Sequence, residues 1–152
     1  MSPLHPGSKY SYASLMKVIV HELTHTVVLN FREQGLTGIP NWLNEGYAYY
    51  EAKQLDTVQR QRIFSRLQNK TIPTWNELEK ANTIEFGDMG GYVIATTIIE
   101  FLLDSHGLDA LKQFIIAPKK IEEIYTLSKI ALEVLWLEYL EQKSEADKLS
   151  AE

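Results

Sequence analysis

The chain has no cysteine. Disulfides and thiolate metal sites are therefore excluded, and any metal must be held by nitrogen and oxygen ligands. Basic residues are the minority: 15 Lys and Arg stand against 20 Asp and Glu, a net charge of -5. They are scattered apart from the pair Lys119-Lys120, so the composition offers no footprint for a nucleic acid partner. No stretch reaches the roughly 18 apolar residues that span a membrane. The longest apolar-rich run, YVIATTIIEFLL, is interrupted by Glu100 and reads as a core helix. The opening residues MSPLHPGSKYSYASLMK lack a charged start followed by an apolar run, so they do not read as a signal peptide. The expectation is a soluble, cytoplasmic protein with neither a nucleic acid nor a membrane partner. Without a secretory signal, the NKT pattern at Asn69 reads as a chance glycosylation sequon. There is no internal repeat, no Gly-rich phosphate loop and no GxSxG.

What is present suits one globular domain. The 152 residues, 45% hydrophobic and 23% charged, can bury a sizeable core. Residues 1–143 read as a single domain and 144–152 as a polar tail expected to fray. A first helix starts near Ser11 or Ser14 and runs to about Phe31, followed by a loop at Gly35 and Gly38. Pro40 and Asn41 open a second helix, with Asn41 as its N-cap. A third covers residues 57–68. Thr74 with Glu77 three residues on forms a capping box for a short helical turn. Further helices are expected over residues 88–105, ending at Gly107, over LDALKQFII before Pro118, and over residues 128–141. Strict alternation is nearly absent, so the fold class is mainly α. A short β element near the N-terminus or in residues 69–74 stays open.

The stretch VIVHELTHTVVLN, residues 18–30, sets three ionisable side chains among apolar ones. His21 and His25, four apart, lie on one face of a helix and can point two imidazoles at one ion. Glu22 flanks the same place without having to be a ligand. The flanking Val18, Ile19, Val20, Val27, Val28 and Leu29 leave almost no polar face, so the helix should be buried nearly all round. Two histidines and a carboxylate are costly to bury unpartnered, and a divalent cation would satisfy all three. A third ligand candidate, Glu45, follows in PNWLNEGYAYYE, where the helix N-terminal dipole favours a carboxylate. Gly46 beside it suggests close packing of this helix against the first, since glycine is otherwise costly there. The alternative for Glu45 alone is a surface glutamate; beside HELTH that alternative loses weight.

These residues carry a family resemblance. HELTH followed by WLNEGYAYYE resembles the gluzincin zinc metallopeptidases and the bacterial peptidase-MA-like domains. Trp42, Leu43, Glu45, Gly46, Ala48 and Tyr50 match their second motif, and the likeness extends more loosely to Leu140. The resemblance implies a helical catalytic subdomain whose N-terminal β-sheet is much reduced or missing. It implies Zn2+ held by His21, His25 and Glu45, Glu22 as general base, and a peptide or protein substrate. It also marks departures. Few residues precede the HELTH helix, so the cleft is open or is completed by a partner chain, and a homo-oligomer stays open. The region that carries the oxyanion-binding Tyr in relatives reads FGDMGGYVIA, where Tyr92 is the candidate donor. An Asp four residues after the Glu ligand orients a zinc histidine in some relatives; here Tyr49 stands there, and its hydroxyl or Asn44 could substitute.

Elsewhere, His5 reads as solvated and His106 as a helix-end residue favourable to the dipole. Glu100 reads as outward-facing. Tyr47, Tyr49 and Tyr50 read as core residues plus one pocket wall. Two readings follow: a zinc peptidase, or a non-catalytic zinc-stabilised domain for partner binding. A metal-free helical interaction module is the third.

Overall fold

A computed structural model describes residues 11–33, 35 and 37–150. Within them the chain is all helix, with no strand among the described residues. The loop of residues 69–74 carries no β element, while the first ten residues, including His5, lie outside the described set. No helix among the described residues is long and apolar enough to cross a membrane.

Helix α1 (Tyr12–Phe31) begins where the Ser11 side chain accepts from the Ser14 N–H. It ends at Arg32, a buried side chain that donates to the carbonyls of Thr37 and Ile116. That arginine ties the Gly35 and Gly38 loop to the far end of the bundle; both glycines have positive φ. Helix α2 (Asn41–Glu51) is capped by Pro40, not by Asn41 as the sequence suggested. Proline at the cap leaves no side-chain acceptor, and Asn41 becomes the first helical residue.

Helices α3 (Thr57–Gln68) and α4 (Trp75–Lys80) fall where expected, with capping boxes Asp56–Gln59 and Thr74–Glu77. Helix α5 (Thr83–Asp88) was not foreseen, although Asn82 and Glu85 form the same box. It makes the next helix, α6 (Gly91–Ile116), start later than residue 88, after Gly90 at φ 73. Gly107 breaks α6 at φ 82, ψ 171, the two-helix division expected there. A 3-10 turn (Pro118–Lys120) leads to α7 (Ile121–Tyr125) and then α8 (Lys129–Ser150).

α8 runs nine residues past the expected end at 141. Ser144 is buried, Gln61 on α3 donates to Asp147, and Lys148 pairs with Glu145. Lys143 also pairs with Asp104 on α6. The helix thus continues through a polar, largely exposed segment whose composition alone is that of a loose tail.

The core gathers around α6. Trp42, Trp75, Trp136, Phe86 and Phe114 are fully buried with Ile94, Ile98, Ile99 and Leu102. The buried Trp136 indole donates to Thr97 Oγ1 at 3.1 Å, which satisfies its one polar atom. α2 packs mainly on α6 and α1. Gly46 is needed for the first of these contacts, not the second. A Cβ there would lie 2.9 Å from the backbone and Cβ of Ala95 on α6.

Glu100 differs from expectation too. It is only 20% exposed and accepts two hydrogen bonds from the Arg60 guanidinium, at 2.6 and 2.9 Å. A charge inside the apolar stripe of α6 is accommodated because α3 brings its counter-ion.

Candidate metal centre

α1 and α2 cross so that the HELTH face meets the middle of α2. His21 Nε2 lies 3.4 Å from one Glu45 oxygen, and His25 Nε2 lies 3.7 Å from the other. The two Nε2 atoms are 3.1 Å apart. One ligand atom from each of the three residues falls within 4.8 Å of the others, close enough to bind a metal. All three are partly buried, with side chains 14–20% exposed. Glu45 sits five residues into α2, just past the first turn. The dipole therefore favours its carboxylate less than the expected cap at Asn41 would have allowed.

The far nitrogens of both rings are also engaged. His21 Nδ1 lies 2.9 Å from Gln54 Oε1, and His25 Nδ1 lies 3.1 Å from Asn44 Oδ1. An amide oxygen only accepts, so these contacts favour the tautomer with the proton on Nδ1. Each Nε2 then presents a lone pair, and the two lone pairs and a carboxylate meet at one place. Three electron-rich groups in contact repel unless a cation or a shared proton lies among them. Two imidazoles and one carboxylate, with no thiolate, are the donor set that divalent zinc takes in catalytic sites. The residues present thus fit a metal ion.

The sequence pointed to this fit for a different reason, and the structure corrects it. α1 is not buried all round. Ile19, Leu23, Val27 and Leu29 are each between 41% and 56% exposed, and only Thr24 and Val28 are buried. One side of α1 packs on the bundle, and no described element covers the other. Burial cost is therefore the weaker reason for a cation; the convergence of lone pairs is the stronger one.

Beside His21 and Glu45 is an open pocket of about 310 Å³, lined by Val18, His21, Glu22, Glu45, Tyr49, Gln54 and Tyr92. Glu22 is exposed beside His21. Tyr92, in the first turn of α6, joins the pocket through an aromatic stack. Its ring centroid is 5.5 Å from Tyr49 and 4.9 Å from Phe86. Tyr49 meets the His21 ring edge-on at 5.6 Å, so its ring is the pocket wall expected from the tyrosine cluster. Burial, then Tyr92 and Glu45, raise the Tyr49 pKa. Of the two substitutes considered for the second-motif Asp, Asn44 touches a candidate ligand through its polar atom. Tyr49 does so through its ring.

Gln54 was missed by sequence reasoning. It lies beyond the end of α2, and no spacing rule connects it to residue 21. His106, by contrast, lies far from the triad among Phe101 and Tyr125. Burial lowers its pKa, which favours the neutral ring.

Among the described residues the chain is a helical domain in which a His-His-Glu cluster that could hold a metal ion lies beside a pocket. The assignment is direct: the peptidase MA superfamily model matches residues 10–136, and the chain belongs to that superfamily. No curated protein and no solved structure matches the chain.

Proposed function

We propose that the protein is a zinc-dependent peptidase of gluzincin type acting on peptide or protein substrates. His21, His25 and Glu45 would hold the ion. Zinc, when bound, supplies Lewis acidity and makes water acidic enough to lose a proton near neutral pH. The chain's own residues do the rest. Glu22, exposed at the pocket beside His21, accepts the proton of the attacking water and returns it to the leaving amine. Tyr92, which lines the same pocket, donates to the oxygen on which negative charge develops. The open pocket admits an extended chain.

The convergence of two Nε2 lone pairs with the Glu45 carboxylate carries this reading, and membership of the superfamily supports it. A second reading, a zinc-stabilised domain without catalysis, is favoured by the uncovered apolar side of α1, the kind of surface a partner would cover. Glu22→Gln separates the two. Cleavage of a peptide library by the zinc-loaded protein should vanish in the variant while zinc remains bound. A protein that binds zinc yet cleaves nothing before the substitution would favour the second reading.

A further inference from the structure

We infer that Gln54 is a positioning residue that selects the tautomer of His21. The inference rests on the metal-site reading above, but its first test does not.

The placement of Gln54 is built by backbone geometry. After α2 the Lys53 N–H donates to the Tyr50 carbonyl at 3.0 Å, and the Gln54 N–H to the Tyr49 carbonyl at 3.1 Å. Lys53 sits in the left-handed region at φ 50. This pair of bonds with a left-handed residue between is the Schellman arrangement, which reverses the chain at a helix end. Glycine is the usual occupant, because a side chain crowds the backbone in that conformation. The reversal carries the Gln54 side chain back over the HELTH face, where its Oε1 accepts from His21 Nδ1.

A histidine side chain free in water favours the proton on Nε2. At His21 that tautomer would turn an N–H toward Glu45 and His25 and remove the lone pair a metal needs. Gln54 stabilises the other tautomer. The edge of Tyr49 on one side and His25 on another stop the ring from rotating to escape. Asn44 serves His25 in the same way, so both histidines are oriented by neutral amides. A neutral acceptor fixes direction without adding negative charge to the site, which leaves an ion held by a single carboxylate.

The test compares the full chain with Gln54→Met, of similar length but without the amide acceptor, and Gln54→Glu, which keeps an acceptor. In the zinc-free protein at about pH 8, above the ordinary imidazole pKa of about 6.5, nitrogen NMR of labelled histidine reads the tautomer directly. His21 should carry its proton on Nδ1 in the native chain and in Gln54→Glu, and shift toward Nε2 in Gln54→Met. Zinc affinity by chelator competition should fall about 10- to 100-fold in Gln54→Met and recover in Gln54→Glu. Circular dichroism confirms that each variant is folded, and Gln54→Glu keeps the test usable should Gln54→Met not fold. An unchanged His21 tautomer in folded Gln54→Met overturns the inference even if the native protein binds zinc. A shifted tautomer in a protein that never binds zinc supports it, and overturns the metal reading instead.

Discussion

Glu22 and Tyr92 face the same pocket but would contribute differently. Glu22→Gln removes the only step that moves a proton from water, so the account predicts loss of hydrolysis. Tyr92→Phe removes one donor and keeps the ring that stacks on Tyr49 and Phe86. Its effect should therefore fall on kcat, roughly 10²–10³-fold as for other oxyanion donors, with zinc content and thermal stability unchanged. Steady-state kinetics on any cleaved peptide reads this. An unchanged kcat would return Tyr92 to a packing role. His21 and His25 were legible as a pair because four residues make about one helical turn, and Glu45 through the WLNEGYAYYE motif on a second helix; the fold brings all three within reach of one ion. Gln54 was not legible, because its contact depends on a chain reversal that no periodicity encodes.

The contact between α2 and α6 is the element-scale feature that sets the site. Glu45 and Gly46 are adjacent: one faces α1 and its histidines, the other lies flat on Ala95. Gly46→Ala should gain up to about 1 kcal/mol of helix propensity. It should lose about 1–3 kcal/mol to overpacking, because the new Cβ meets backbone and cannot be relieved by a rotamer change. Net destabilisation in urea unfolding, with weakened zinc binding as α2 is pushed from α6, is the expected result. A neutral or stabilising substitution would mean that the helices separate freely. Most helices were readable from caps and periodicity, and the Thr74–Glu77 box forms as the sequence indicated. The misses have physical causes. α1 is apolar on a side that no described element covers, so a hydrophobic pattern did not mean burial. The end of α8 is polar yet helical through Ser150, so a polar pattern did not mean the end of the helix.

Across the bundle, burial raises the pKa of Tyr47, Tyr49, Tyr50, Tyr125 and Tyr139. Burial, then the nearby Glu51, pushes Tyr47 up from 10.0 to about 12. Burial raises Tyr125, and burial together with the hydrogen bond donated to Asp104 raises Tyr139. A phenol whose folded pKa exceeds its unfolded value stabilises the fold fully below pH 10. That contribution is lost as pH rises from 10 through about 12, where Tyr47 ionises in the folded chain. Alkaline unfolding should begin above pH 10 with tyrosinate absorbance rising in step with loss of helix, and Tyr47→Phe should flatten the slope. Tyrosines titrating normally in a still-folded chain would contradict this.

The three electron-rich groups at the meeting of α1 and α2 remain the centre of the account, and one measurement addresses them directly. Zinc per chain is determined by elemental analysis after purification without a metal-affinity tag, for the native protein and for His25→Ala. The account predicts about one zinc per native chain and its loss in the variant. No zinc in the native protein, even after incubation with added zinc, would contradict it and leave a helical domain whose His-His-Glu cluster serves no metal.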